Sequence, residues 1–365
     1  MSSYSWRPAY PHREAHASDH PAWRILVNVN RLSTIYLHIG LHKTGTSTLQ
    51  EFLYQHRSEL LRHTGVYLPG LQPNLSHPLS SLFHDNPAAY PLNVMHGIDS
   101  EEKVAARNVE IQQQFDAEFS TCTADSMLMS GEDMCLLSYD ALRRMTDWLD
   151  PRCEQLIVAC VLRDPTGWST SAAQSRIRGG ETLHEVNEDH RVQRLQPLLE
   201  TIAGAFGYER MRWLDFHQLT HHPDNYIVGF LDALGLESNW ARNAGVAVVN
   251  ESISMEAARI VSAINTARPL YIDGKLNPER WPNDIDPICR SVTGQRFRLR
   301  DDTLERIRAA EGPMLDWLSD EFGFRFQGVM TRPESLSPPA ETEMSDAEIT
   351  DLALQMHDRE RDRAG

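Results

Sequence analysis

One stretch of the chain combines glycines, hydroxyls and a lysine at a spacing that could bind an anionic group. Residues 38–50 (HIGLHKTGTSTLQ) keep the separation of two glycines, Gly40 and Gly45, that is found in nucleotide-binding phosphate loops. An NTPase loop places lysine directly after the second glycine, but this chain has Thr46 there and Lys43 two residues before that glycine. The stretch is therefore a damaged NTPase loop, a chance run, or a loop for a different anhydride.

Two further polar groups follow segments that have the composition of buried strands. Ser130, Glu132 and Asp133 lie in or just after the run SMLMSGED, and Arg163 ends the apolar run EQLIVACVL. Ser171 comes eight residues after Arg163, about two turns into the helix expected there. Ligands of an open parallel sheet bind beyond the carboxyl ends of its strands. We therefore expect these side chains to meet the loop at one edge of a sheet.

Lysine is rare in this chain, which makes its position in the loop informative. Lysine and arginine together number 35, and the lysines among them are Lys43, Lys103 and Lys275. A lysine offers a compact, rotatable point charge where the planar arginine fork does not fit. We therefore interpret Lys43 as a functional feature of the loop.

The elements that position these residues alternate between strands and helices. Alternation of this kind predicts an α/β fold with a P-loop-type, mostly parallel sheet flanked by helices in three layers. The expected strands cover residues 33–40, 65–70, 126–133 and 154–165. The expected helices follow the loop and cover about 101–120, 138–149, 166–178, 190–206, 225–236, 252–266 and 302–322.

Length and composition suggest one large domain. The 365 residues divide into an N-terminal extension (1–32), a domain (33–330) and an acidic tail (331–365) that we expect to be mobile. The net charge of −16 argues against a nucleic-acid partner and against docking on anionic lipid. The five cysteines are scattered without a C-x-x-C pair, and no transmembrane or signal segment is visible. The sequence thus predicts a cytoplasmic protein with reduced thiols.

Together, the loop H-K-T-G-T-S-T and the element L-R-D-P-x5-S resemble the two cofactor signatures of sulfotransferases that use 3′-phosphoadenosine 5′-phosphosulfate (PAPS). The similarity extends over roughly residues 33–265. Within this range the order of elements resembles that of many bacterial members of the family. It implies that the loop holds the 5′-phosphosulfate through His42, Lys43, Thr44, Gly45, Thr46, Ser47 and Thr48. In the same way it implies that Arg163 and Ser171 hold the 3′-phosphate.

The chain departs from this family at two places. Thr48 stands where the cytosolic small-molecule members carry a tryptophan that supports the adenine. The C-terminal Arg-Lys-Gly element of those members is not visible either; residues 274–275 (GK) are too weak a match, and residues 248–254 are only a loose candidate. The contacts of the adenine are therefore left unassigned by the sequence.

Sulfuryl transfer explains the position of the lysine. The leaving phosphate oxygen gains charge in the transition state, and Lys43 on a loop can neutralise it. Phosphoryl transfer by an NTPase needs Mg²⁺, whereas a sulfuryl donor requires no metal. We therefore expect no metal site; His217 and His221, four residues apart, lack an H-E-x-x-H pattern and indicate a helix end at the surface.

The acceptor must lose a proton, so a general base is needed. Glu132 is the first candidate because it follows the third strand at the rim of the crevice, and His77 is the second, with His84 behind it. Each of them could equally have only a structural role. Arg176 and Arg178 could line the cleft or lie at a solvated helix end.

The sequence thus favours a bacterial enzyme that sulfates a hydroxyl or amine of a carbohydrate, glycolipid or small metabolite. The acidic balance makes a long polyanionic polysaccharide less suitable as the acceptor. The alternatives are a P-loop kinase that uses Mg-ATP and a catalytically silent nucleotide- or partner-binding member of the fold. The oligomeric state and the acceptor are left open.

Overall fold

Five parallel strands form the central sheet of the protein. The computed structural model describes residues 31–245, 252–273, 275–281, 283–327 and 346–364. The strands of the sheet are β1 (Leu32–Ile39), β2 (Val66–Tyr67), β3 (Ser126–Gly131), β4 (Cys153–Leu162) and β5 (Met211–Asp215). Their order is β2-β3-β1-β4-β5, so β1 and the loop that follows it lie at the centre of the sheet.

Helices connect the strands and cover the sheet. In chain order they are α1 (Thr46–Gln55), α2 (Arg57–Thr64), α3 (Ser76–Phe83), α4 (Pro91–Met95), α5 (Glu101–Thr121), α6 (Tyr139–Leu149), α7 (Pro165–Arg178), α8 (Leu183–Glu188), α9 (Leu195–Phe206), α10 (Phe216–Thr220), α11 (Tyr226–Ala233), α12 (Met255–Ala267), α13 (Asp286–Ser291), α14 (Asp301–Phe322) and α15 (Asp346–Ala364). A small antiparallel hairpin pairs β6 (Tyr271–Ile272) with β7 (Lys275–Leu276).

Side chains of each strand alternate between two apolar layers, as the period of two requires. On β3, Met127 and Met129 pack against the layer that contains α3, α5, α6 and α9, whereas Leu128 packs against α1, α2 and α11. On β4, Cys160 and Val161 divide between the same two layers. The predicted three-layer α/β fold with a parallel sheet is therefore confirmed.

A further apolar cluster lies outside these layers and joins α7 to the C-terminal helices. It contains buried residues of α7, α12, α13 and α15 and of the first turns of α14. Because α7 begins directly after β4, this cluster supports the helix that carries Arg178 and Ser171.

Three sequence predictions differ from the observed elements. The strand predicted over 65–70 is only Val66–Tyr67, and the one over 126–133 ends at Gly131, so that Glu132 lies in the loop beyond it. The acidic tail predicted over 331–365 contains the helix α15, in which Ala353, Met356 and His357 recur at helical spacing and pack inward. The mobility of the tail stays a prediction. The predicted extension 1–32 lies outside the described residues, apart from Arg31 and Leu32. None of the described helices is long and apolar enough to cross a membrane.

Candidate anion-binding and proton-transfer site

The loop between β1 and α1 has a backbone shaped for a tight turn around its lysine. Lys43 has φ 71°, a left-handed conformation that costs a residue with a side chain roughly 1–2 kcal/mol. Gly45, with φ 76°, caps the start of α1. The first backbone N–H groups of a helix have no partner within that helix and carry positive partial charge. The loop therefore presents N–H donors and a cation at the carboxyl edge of the sheet.

Two loop hydroxyls stabilise the turn from inside. Thr44 is buried and its hydroxyl donates to the carbonyl oxygen of Leu41 at 2.5 Å, and the Thr46 hydroxyl lies 3.5 Å from the same oxygen. A Cβ at Gly40 would come within 2.6 Å of the Thr46 side chain, so only glycine fits there. The hydroxyls of Thr44 and Thr46, predicted to bind the cofactor, thus contact the loop itself.

Three consecutive carbonyl groups of the loop are held by side chains from other elements. Each donor comes from a different part of the chain: Trp168 Nε1 donates to His42 O at 3.1 Å, Arg163 Nη1 to Lys43 O at 2.9 Å, and the Tyr226 hydroxyl to Thr44 O at 2.8 Å. These bonds fix the direction of three carbonyls and hold the loop in place from β4, α7 and α11.

Cations gather around Lys43. Burial is the main cause that lowers the pKa of Lys43, and repulsion from Arg178 and Arg163 lowers it further, whereas Glu132 raises it. The Arg163 guanidinium lies 4.8 Å from the centre of the Phe216 ring, in a cation–π contact. Burial also lowers the pKa of Arg163. The pocket is therefore suited to an anion with more than one charged group.

Carboxylates face this cationic pocket from the end of β3. The imidazole of His42 lies between two of them, with Nδ1 3.9 Å from Glu132 Oε2 and Nε2 3.5 Å from Asp133 Oδ1. The Tyr90 hydroxyl donates to the other oxygen of Asp133 at 2.8 Å. Ser76 Oγ accepts the backbone N–H groups of Glu132 and Asp133 at 2.7 and 3.0 Å. The acidic pair is thus held by α3, by Tyr90 and by the loop.

Burial raises the pKa of the Glu132 carboxyl, and Asp133 raises it further, whereas His42 and Lys43 lower it. About a quarter of the Glu132 side chain is exposed, 26%. A carboxylate with a raised pKa that stays accessible is suited to accept a proton.

His42, Glu132 and Asp133 lie close enough together to be considered as ligands of a metal ion. Nδ1 of His42 is the ring nitrogen in contact with Glu132, and Nε2 is the one in contact with Asp133. One side-chain atom from each of the three residues lies within 4.8 Å of the other two. An ion would bind through one ring nitrogen, whereas here both nitrogens contact a carboxylate, so the imidazole links the two acidic residues.

The second candidate for the base, His77, contacts Asn93 and His96. Its Nε2 lies 2.7 Å from Asn93 Oδ1, and its ring stacks on His96 with the centroids 4.9 Å apart. Burial lowers the pKa of His77. His84 contacts the Tyr90 ring on the same side of the fold. The catalytic role of His77 stays a prediction.

The remaining predicted residues lie on α1 and α7. Ser47 is exposed in the first turn of α1, and Thr48 is buried beside it. Ser171 is half-buried on α7, and among the described residues it shares no hydrogen bond with Arg163. Arg176 donates hydrogen bonds to Glu181 and to the Asp189 carbonyl, and these contacts support a structural role for it at the helix end. The positive charge of Arg178 instead lowers the pKa of Lys43.

Several residues that shape the site were missed by the sequence predictions: Phe216, Tyr226, Tyr90 and Ser76. One of them had a usable signal, since Phe216 directly follows β5 and so lies at the same sheet edge as the other strand ends. The others reach the site through long-range packing, for which local sequence holds no signal.

No family model and no curated protein matches the chain, but several solved structures do. One matched structure is a sulfotransferase from Alicyclobacillus acidocaldarius, with 17% identity, a TM-score of 0.37, and coverage of 66% of this chain and 95% of that one. Another is the sulfotransferase domain from the curacin biosynthetic pathway, with 10% identity, a TM-score of 0.31, and coverage of 82% and 100%. Both are described as sulfotransferases. Because both TM-scores are below 0.5, we infer the function from the geometry of the chain itself.

Proposed function

We propose that this protein is a sulfotransferase that moves a sulfuryl group from PAPS to a hydroxyl or amine of an acceptor, such as a carbohydrate, glycolipid or small metabolite. The observation that carries the proposal is the placement of Lys43. It lies in a left-handed turn at the start of α1, within a pocket of cations and opposite the carboxylate of Glu132. This arrangement supports Lys43 as the cation for a leaving group and Glu132 as the base for an acceptor.

Lys43 acts on the leaving group in this proposal. As the bond between sulfur and the bridging oxygen breaks, its electron pair remains on the phosphate of adenosine 3′,5′-bisphosphate. The ammonium of Lys43 and the N–H groups at the start of α1 stabilise that developing charge. Because Arg163 and Tyr226 fix the neighbouring carbonyls, these donors need little rearrangement during the reaction.

Glu132 acts on the acceptor. The acceptor oxygen or nitrogen forms the new bond to sulfur while its proton passes to the Glu132 carboxylate. The raised pKa of this carboxyl makes it a stronger base than an exposed glutamate. We favour Glu132 over His77 as the base because the Nε2 of His77 already faces Asn93.

Arg163, with Ser171 and Arg178 on α7, is the proposed site for the 3′-phosphate. Arg163 uses Nη1 on the Lys43 carbonyl, which leaves the other N–H groups of its guanidinium for an anion. Arg178 brings a second positive charge to the same pocket, as its effect on Lys43 indicates. A 3′-phosphate next to the 5′-phosphosulfate would supply the multiple charges that such a pocket favours.

A P-loop kinase that uses Mg-ATP is the main alternative. It needs a lysine at the place of Thr46 and a hydroxyl directed at Mg²⁺. In this loop the hydroxyls of Thr44 and Thr46 instead point to the carbonyl of Leu41. A silent member of the fold, which binds a nucleotide or partner without transfer, is the second alternative; it would not need an accessible carboxylate facing Lys43.

The setting we propose is the bacterial cytoplasm, with a small molecule or carbohydrate as the acceptor and no nucleic-acid partner. All five cysteines are free and buried, which is consistent with a reducing compartment. The acidic net charge of −16 is unfavourable for a polyanionic partner.

A thermal-shift panel tests the proposal. The donor leaves adenosine 3′,5′-bisphosphate as its product. This nucleotide should raise the melting temperature more than ATP with Mg²⁺ does, because at equal concentration the ligand that binds the folded state more tightly stabilises it more. Transfer of ³⁵S from labelled PAPS to a panel of hydroxyl and amine compounds then tests turnover. A larger shift with Mg-ATP would favour the kinase, and bisphosphate binding without transfer to any acceptor or to water would favour the silent member.

A further inference from the structure

We propose that His42 is a positioning residue for the base: its imidazole bridges Glu132 and Asp133 and ties the donor-binding loop to the residue that takes the acceptor's proton. This inference rests on the proposed function, and it differs from the cofactor-binding role that the loop motif implies for His42. The bridge consists of the contacts of 3.9 Å to Glu132 and 3.5 Å to Asp133.

The backbone of His42 is held in a way that directs its side chain to the acidic pair. Trp168 Nε1 donates to the His42 carbonyl at 3.1 Å from the side of α7. On the other side, the His42 backbone lies near the Cys135 thiol, whose pKa burial raises to about 12. The Trp168 bond thus holds the peptide, and the ring extends toward the turn after β3.

The second carboxylate of the bridge is itself anchored. Asp133 receives the Tyr90 hydroxyl on the oxygen that does not face His42. Burial and the nearby Asp133 raise the pKa of Tyr90, so this hydroxyl remains a donor. Because Asp133 is fixed by Tyr90 and by Ser76, it can orient the imidazole, and the imidazole can in turn hold Glu132.

The charged and titratable groups around Glu132 come from two elements. His42 and Lys43 belong to the loop, and Asp133 and Cys135 follow Glu132 in the turn after β3. Burial favours the neutral carboxylic acid, which cannot accept a proton. The nearby imidazole opposes that tendency. His42 therefore offsets part of the effect of burial on the Glu132 carboxyl and favours its ionised form.

The bridge has a structural consequence for the two substrates. His42 lies directly before Lys43, so the residue that contacts the leaving group and the one that supports the base share a peptide bond. A shift of the loop would displace both. The contact to the leaving group and the support of the base thus share one short segment, whose carbonyls are held by Trp168 and Arg163.

A titration of the Glu132 carboxyl tests this directly, without any acceptor. Glutamate labelled with ¹³C at Cδ gives an NMR signal for each carboxyl, and Glu132→Gln identifies the one of interest. In His42→Gln the midpoint of the Glu132 titration should rise by about one pH unit or more, the scale for losing a nearby opposite charge. The matched control is His63→Gln, since His63 lies on α2 and stacks on the Trp240 ring. An unchanged midpoint in His42→Gln would overturn the proposal.

Calorimetry with adenosine 3′,5′-bisphosphate separates this role from cofactor binding. Its affinity for His42→Gln should stay within about twofold of wild type, because a positioning residue for the base makes no contact with the donor. A loss of tenfold or more would make His42 a cofactor ligand and overturn the proposal. If wild type binds no bisphosphate while the midpoint shifts as expected, the bridge is upheld and the proposed function fails.

Addition of a divalent cation excludes the remaining explanation. Mn²⁺ or Mg²⁺ titrated into the wild-type protein should leave the melting temperature unchanged to within about 1 °C, since a bridged imidazole offers no open ligand set. A stabilisation by Mn²⁺ that is lost in His42→Gln would show that the three side chains bind a metal, which contradicts the bridge.

Discussion

Arg163 donates a hydrogen bond of 2.9 Å to the carbonyl oxygen of Lys43, so the arginine at the end of β4 fixes the backbone of the lysine in the loop after β1. The two residues are 120 positions apart in the chain and belong to the two sequence motifs. β1 and β4 are neighbours in the sheet, and the carboxyl ends of parallel strands meet at one edge. The two motifs therefore form one site.

Lys43→Ala should lower sulfuryl transfer about 10²- to 10³-fold, the scale for removing one preorganised donor to a developing negative charge. Folding stability should stay close to wild type because the side chain lies on a loop. The control is Lys103→Ala, which removes an exposed lysine paired with Asp99. Turnover is measured with labelled PAPS. If the two variants turn over at the same rate, Lys43 has no role in the mechanism.

Tyr226→Phe should weaken binding of adenosine 3′,5′-bisphosphate by about two- to tenfold. The substitution removes the hydroxyl that holds the Thr44 carbonyl, a hydrogen bond worth about 0.5–1.5 kcal/mol, while the ring stays in place. Tyr54→Phe is the matched control, since its hydroxyl donates to the Gly70 carbonyl at 2.9 Å. Calorimetry that finds equal affinities for the two variants would show that the Thr44 anchor does not shape the loop.

Folding stability should fall in acid because of His38, which is buried on β1 beneath the loop. Burial lowers its pKa from 6.5 to about 3, so below pH 6.5 the unfolded chain binds a proton that the folded protein does not. Between about pH 6 and 3 this group should remove about 1.4 kcal/mol of stability per pH unit. Urea unfolding of wild type and His38→Gln across this range measures the difference. Parallel pH profiles for the two proteins would contradict a neutral, buried His38.

The C-terminal helix α15 should contribute to stability through His357. Its Nδ1 lies 3.0 Å from Arg268 Nη1 and its Nε2 3.0 Å from Asp284 Oδ2; His357 and Asp284 are buried and Arg268 is partly buried. His357→Ala leaves a cavity and unpaired polar groups, so we expect a loss of about 3 kcal/mol in urea unfolding. Gln355→Ala, on the exposed face of the same helix, should change stability by less than about 0.5 kcal/mol. Equal effects of the two substitutions would show that α15 does not pack as described.

Sequence reasoning located four strands of the sheet and placed their carboxyl ends to within about three residues, because local patterns determine them. Apolar runs that end in glycine or a charged residue mark where a strand ends, and the topology rule then brings Lys43, Glu132 and Arg163 to one edge. For this reason the parallel sheet and the neighbourhood of these three residues could be predicted.

The contacts that define the site could not be predicted in the same way. Trp168 and Tyr226 reach the loop from α7 and α11, and their directions depend on how these helices pack on the sheet. The His42 bridge depends on the ring orientation of a single loop residue. Composition did not indicate α15, because a helix needs only one apolar face, which Ala353 and Met356 provide within an acidic segment.

The most direct test of the central claim is a calorimetric comparison of adenosine 3′,5′-bisphosphate with AMP, which differ in the 3′-phosphate. Wild type should bind the bisphosphate at least about tenfold more tightly, because a charge-assisted hydrogen bond is worth about 1.5–3 kcal/mol and 1.4 kcal/mol corresponds to tenfold. Arg163→Ala should remove most of this ratio and Ser171→Ala less of it; a general loosening of the loop would cancel in the ratio. Equal affinity of wild type for the two nucleotides would contradict the assignment as a sulfotransferase.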